Sequence, residues 1–287
     1  MGHKWESAAI RWQEEGANRA LKTVRREGYL LAWASKKLVG MDVDDIRAAL
    51  LMDIRSDALH AGWSNRTANY LVSNVCAVLR ACFVWEWRSA PAPRIKPLRL
   101  PPPRSRWLRP GEAQQLLLAL PDPIAGMAEL SLETGLRLGN VRGLRWSQVD
   151  LSVGLIHIEA AEVKSRAALT IPLTAGAQRL LRGRQAINDQ DGLVFHRNGR
   201  LIESPNGVLW RKAVRTVGLR DFRWHDLRHT WASWHVQSGT SIAVLKELGG
   251  WKTLSMVLRY AHLDTVQMQL AVARMDRWRS EDIPGTT

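Results

Sequence analysis

The chain has 287 residues, 46% hydrophobic and 24% charged, an ordinary balance with room for two separate cores. Its net charge of +14 and pI near 10.6 are not ordinary and point to polyanions, nucleic acid first, with ribosomal or anionic-membrane association as other sources of such a charge. No apolar run approaches the roughly 18–20 residues a bilayer crossing needs, no signal-peptide core follows Met1, and Cys76 and Cys82 have neither metal nor redox spacing. No membrane association is expected, and the two thiols fit a reducing cytoplasm.

Residues 1–90 read as an all-helical domain of about four helices. Apolar residues recur at helical spacing in Val43–Leu59 and Tyr70–Phe83. Gly40 and Gly62 stand where helices should stop, and Asp42 and Ser64 where new ones should start. Residues 91–109 then hold half the prolines of the chain and six cations, Arg94, Lys96, Arg99, Arg104, Arg106 and Arg109, with no acidic residue. Such a segment is expected to be an extended basic linker. At about 3.1 Å per residue it would reach at most ~60 Å, enough to pass around one side of a duplex with its cations on phosphates. A solvated spacer with incidental charge is the plainer alternative.

From Pro110 to residue 275 the pattern is helical with one small hairpin, an α+β domain followed by a tail over 276–287. Helices are expected at Pro110–Leu120, Ile124–Leu136, Ala175–Arg184, Pro205–Val217, His225–Ser238, Ile242–Leu248, Leu254–Ala261 and Thr265–Met275. Leu155–Ile158 and Ala168–Ile171 read as the hairpin arms. The whole chain is thus expected to be mainly α with a small β-hairpin, in two domains.

Cutting a phosphodiester without a metal needs a nucleophile, donors for the charge that builds on the phosphate, and an acid for the leaving oxygen. A candidate stands ready for each. Arg137 and Arg228 would clamp the non-bridging oxygens, because a guanidinium donates two hydrogen bonds in one plane and stays charged. His225, one turn before Arg228, would add a donor or move a proton. Trp251 offers an indole N–H and no base. Tyr260 would attack, its phenol made more acidic by surrounding cations. Lys164, at the hairpin tip, would protonate the departing 5′ oxygen. Each has a plainer reading: a lone Tyr is usually a packing residue, and Trp251 could be core in a chain with 14 Trp against 3 Phe and 3 Tyr. His225 and His229 could form a metal pair, but no Glu completes a zincin motif and Arg228 intrudes, so no metal and no cofactor is expected.

Taken in order, Arg, Lys, His-x-x-Arg, Trp and Tyr resemble the tyrosine recombinases, the phage integrase family. Phe222-Arg223-Trp224-His225-Asp226-Leu227-Arg228-His229-Thr230 is similar to that family's most diagnostic box. Thr134-Gly135-Leu136-Arg137 resembles its first Arg box, Lys164 its hairpin lysine, and Trp251 the His or Trp nine before the nucleophile. The resemblance spans residues 108–275, and residues 1–90 are consistent with the family's helical core-binding domain. Asn140 replaces a common acidic residue, Arg109 a common capping Thr or Ser, and Gly249-Gly250-Trp251 the commoner Leu-Gly-His.

The resemblance implies a clamp on double-stranded DNA attachment sites, contacted by Arg94, Lys96, Arg99, Arg104 and Arg106. It further implies a homo-tetramer on DNA, a 3′-phosphotyrosyl bond at Tyr260, a Holliday junction, and an accessory DNA-bending or directionality factor. Cytoplasmic, nucleoid-associated placement follows from that activity. The chain begins too close to its first helix for a full arm-site module, which would fit a defective prophage copy. The competing reading is a non-catalytic regulator, with His225–Ala261 as a helix-turn-helix and Trp251–Tyr260 as its recognition helix. A relaxing topoisomerase with the same chemistry is a third.

Overall fold

The structure, a computed structural model, describes residues 2–16, 19–101, 106–160, 168–186, 192–263, 272–277 and 279. The chain divides into two compact units, Met1–Pro103 and Arg104–Thr287.

The first unit is built from α1 (Trp5–Glu15), α2 (Leu21–Leu38), α3 (Ala48–His60) and α4 (Asn65–Val84). Helix α4 touches the other three and carries the core on Leu71, Val75, Val78, Leu79 and Cys82. It begins where expected, with the Ser64 hydroxyl accepting from the Thr67 N–H at 3.3 Å. At 20 residues and a hydropathy of 1.3 it is long and apolar enough to cross a membrane, contrary to the reading of the bare sequence. Its buried stripe is instead the centre of a helical bundle, which passes the same length and composition test.

Asp42 does not start a helix. Its carboxylate accepts from the Asp44 N–H at 3.0 Å, closing a local turn that competes with helix. Backbone bonds Trp5–Met41 and Val43–His3 pair this stretch with the N-terminus, and the Ile46 carbonyl accepts from Arg88 at 3.1 Å. Helix α3 therefore starts only at Ala48, although Val43 and Ile46 are fully buried.

Residues 91–101 run without helix or strand as part of this first unit. Ala92, Ile95 and Leu98, three apart, pack on its core, the spacing of an extended proline-rich chain with three residues per turn. Asn69 bonds both the carbonyl and the N–H of Leu98 at 2.9 and 2.8 Å, and Arg55 donates to the Lys96 carbonyl at 2.8 Å. Arg94, Lys96 and Arg99 remain exposed. Arg104 lies outside the described residues, and Arg106 is half-buried in the second unit. The same first unit accounts for part of the tryptophan excess: Trp5 is buried with its indole donating to Ser35 at 2.7 Å, and Trp12, Trp33, Trp63, Trp85 and Trp87 pack around the core.

The second unit runs α5 (Pro110–Ala119), α6 (Ile124–Thr134), α7 (Leu138–Gly143), β1 (Val149–Asp150), β2 (Leu155–Ile158), β3 (Leu169–Pro172), α8 (Ala175–Gln185), α9 (Val208–Thr216), α10 (His225–Gln237) and α11 (Ile242–Gly249). The strands form an antiparallel sheet ordered β1-β2-β3, with Ile156 opposite Ile171 in the core. Arg109 cannot cap α5 through its own side chain, and Glu112 takes over by accepting the Arg109 N–H at 2.8 Å. Helix α10 is buried on nearly every side and packs on α6, α11 and the turn after it. Its entry is fixed by the Asp226 carboxylate, which accepts from the Arg223 N–H at 2.8 Å.

No α-helix spans Leu254–Ala261. Two short 3-10 turns, Leu254–Met256 and Leu258–Leu263, stand there. The helix-turn-helix alternative thereby loses its recognition helix. The expected Thr265–Met275 helix lies largely outside the described residues, with 272–277 helical.

Candidate active site

Arg228 is the centre of the site because α10 buries it to 4% exposure. Its guanidinium donates to the Gly135 carbonyl at 2.7 Å and the Gly249 carbonyl at 2.5 Å, and lies 4.1 Å over the Trp251 ring. Both carbonyls belong to glycines for a steric reason. Gly135 ends α6 in the left-handed region at φ 65°, and a Cβ there would sit 2.3 Å from Trp231. A Cβ on Gly249 would sit 1.9 Å from Trp251. Among the described residues, no carboxylate pairs with Arg228. Burial, with the Arg137 charge adding, lowers its pKa to about 9, so it remains a cation at neutral pH.

A cavity of about 220 Å³ opens beside it, lined by Arg137, Arg223, His225, Arg228, Asn206, Trp224, Leu136 and Leu138. Among the described residues, no acidic one lines it. Arg137 precedes α7, in extended conformation, and burial lowers its pKa. His225 is exposed, and its ring meets that of His229 edge-on at 5.0 Å. Its pKa is lowered first by burial and then by the Arg228 charge, with Arg137 and Arg259 adding and Asp226 opposing. Among the described residues, the lining offers donors and cations and no carboxylate, a match for a phosphate-sized anion.

Tyr260 sits in the second 3-10 turn, 3% exposed, and does not line that cavity. Its hydroxyl is 2.5 Å from His229 Nδ1. The expectation of an acidified phenol is corrected: burial outweighs Arg228 and Arg259 and pushes Tyr260 up to about 12. Burial likewise lowers His229 to about 4, with His225, Arg259 and Arg228 adding, so the imidazole is neutral at physiological pH. Trp251, 8% exposed, has its ring 6.1 Å from Tyr260 and its face under Arg228.

The fold thus gathers Arg137, His225, Arg228, Trp251 and Tyr260 from α6–α7, α10, the end of α11 and the following turn. Lys164 lies outside the described residues, between β2 and β3. The sequence reading missed three contributors: Gly135 and Gly249 as acceptors for Arg228, and His229 against Tyr260. The departure at Gly249 was itself a signal, since a residue there must make way for an indole. Arg223, in the same box as His225, was legible as a cation but not as cavity lining.

The phage integrase family profile matches residues 106–266, more than half of the chain. The chain belongs to the phage integrase family. The integrase of Salmonella phage P22 is 37% identical over 204 residues, covering 67% of this chain and 52% of that protein, so the chain spans about half the length of this relative. Two solved structures share the integrase-family fold. The Tn1549 transposon integrase, in complex with a circular intermediate DNA, superposes with TM-score 0.78 at 14% identity, covering 88% of this chain and 93% of that one. A lambda integrase dimer bound to a COC′ core site gives TM-score 0.76 at 18% identity, with 90% and 95% covered.

Proposed function

We propose that this chain is a site-specific recombinase that cuts and rejoins double-stranded DNA through a 3′-phosphotyrosyl bond at Tyr260. The observation that carries the reading is Arg228, a buried cation beside Tyr260 with no carboxylate among the described residues to balance it. A buried charge held only by carbonyls and an aromatic face is best completed by an anion, and the adjoining cavity has the size and lining for one phosphate. Arg137 and Arg228 would clamp the scissile phosphate, with His225 as donor at its rim. Trp251 serves by stacking on Arg228 and holding that guanidinium in plane, in addition to any donation from its indole N–H. Lys164 would protonate the departing 5′ oxygen.

The phenol gives up its proton to solvent as its oxygen attacks phosphorus, the bond from phosphorus to the 5′ oxygen breaks, and the partner strand's 5′-hydroxyl later reverses the step through a Holliday junction. Bond energy is kept in the phosphotyrosine. On DNA the two units would close as a clamp with Arg94, Lys96, Arg99, Arg104 and Arg106 on backbone phosphates, and four copies would hold two duplexes. A DNA-bending or directionality factor would join them, at the nucleoid in the cytoplasm. Nicked suicide substrates carrying candidate sites test this reading. An SDS-resistant adduct mapping to Tyr260 supports it, and tight specific binding with no adduct favours the regulator or a dead integrase.

A further inference from the structure

Tyr260 is buried, and among the described residues its hydroxyl has one hydrogen-bond partner, His229, which belongs to none of the roles assigned above. Among the groups around the phenol, Arg228 and Arg259 can only donate, and so can the indole of Trp251. The Asp226 carboxylate also acts on the phenol but accepts from the Arg223 N–H, which leaves His229 Nδ1, at 2.5 Å, as the hydrogen-bond partner of Oη among the described residues. Had Nδ1 carried the proton and donated, the phenol O–H would be left buried without an acceptor, a costly arrangement. That cost is avoided when the phenol donates to Nδ1 and the imidazole proton sits on Nε2.

The imidazole is well held for this task. His229 follows Arg228 on α10, whose rotation is fixed by the two carbonyls that receive the guanidinium. The His225 ring stands edge-on to it at an 84° interplanar angle, and Tyr260 closes the other side with ring centroids 5.7 Å apart. The neutral imidazole does not repel the neighbouring guanidinium, as a protonated one would.

We infer that His229 is the positioning residue for the nucleophile: its Nδ1 takes the hydrogen bond of the Tyr260 phenol and fixes the direction of Oη. The inference deepens the recombinase reading and rests on it for its kinetic consequence, while the contact itself is testable without DNA. An acceptor at this place is what the role demands, and a proton-accepting base is not. Asparagine, whose Oδ1 occupies nearly the place of Nδ1 and cannot take up a proton, should therefore substitute where leucine cannot.

The test uses the full chain. Only three tyrosines occur, Tyr29, Tyr70 and Tyr260, so Tyr29→Phe and Tyr70→Phe leave one ring-labelled phenol whose Cζ resonance reports its hydrogen bond. His229→Leu should shift that resonance, and His229→Asn should return it toward the starting value. In parallel, His229→Leu should slow covalent adduct formation about 100-fold, the cost of a misdirected reacting group, with site affinity unchanged. His229→Asn should recover to within about tenfold of the parent. An unmoved resonance in His229→Leu, or Asn as slow as Leu in a folded protein, would overturn the assignment. Were the parent itself to form no adduct while the resonance moved as expected, the recombinase reading would fail and the contact would stand.

Discussion

Arg228 has two backbone carbonyls and an indole face in place of an acid, and the glycines that make this possible define what the site tolerates. Gly249→Ala would drive a methyl into Trp251 and displace the carbonyl that receives Arg228. Overpacking of this kind costs about 1–3 kcal/mol, so calorimetry should record a lower Tm together with lost cleavage. Arg228→Ala should reduce adduct formation far more than site binding, because its hydrogen bonds strengthen as charge builds on the phosphate. Equal losses in both assays would make Arg228 a binding residue only.

His229 also carries a pH signature. Its pKa falls from 6.5 to about 4 on folding, so between those values the unfolded chain binds more protons than the folded one. Its contribution to stability is present above pH 6.5 and is lost as pH falls toward 4. Urea titrations across that window should show a fall in stability that is smaller in His229→Asn. The linear spacing His225-x-x-Arg228 was legible because one helical turn brings both to one side. The partnership of His229 and Tyr260 was not, since it depends on how a later turn folds back on α10.

At the scale of elements, the sequence is read best where caps and period agree. Ser64 starts α4 as its side chain requires, and Ser64→Ala should cost about 1 kcal/mol in a thermal melt. Where signals were local and the partner distant, reading failed. Asp42 looked like a helix cap and instead closes a turn tied to residues 3–5. Val257 and Tyr260, buried three apart, fit one turn of α-helix as well as one of 3-10, so periodicity could not separate the two. Helix α7 holds Gly139 and Gly143 in six residues, and β1 has only two residues, too little for any period. The basic segment 91–101 was legible as extended but not as anchored, because its anchors are Asn69 and Arg55 on other elements. Asn69→Ala removes both bonds to Leu98, and trypsin should then cleave after Arg94 and Arg99 faster than in the parent chain.

For the whole molecule, the net charge of +14 sets the expected behaviour on DNA before any sequence is read. Each phosphate contact adds about 0.9 to the slope of log affinity against log salt. Replacing the exposed trio Arg94, Lys96 and Arg99 by alanine should flatten that slope by about 2–3 in anisotropy titrations, almost equally on any duplex. An unchanged slope would remove these three from the contact surface. Charge is blind to chemistry, however. A regulator of this fold would show the same slope, and only the reaction at Tyr260 separates the two.

The most direct measurement is therefore the covalent one. The parent chain and Tyr260→Phe would be mixed with the same nicked suicide duplex, denatured in SDS, and the adduct mapped by peptide sequencing. The account predicts an adduct at Tyr260 from the parent, none from Tyr260→Phe, and equal site affinity for both. An adduct that persists in Tyr260→Phe would contradict it, because the nucleophile would then lie elsewhere in the chain.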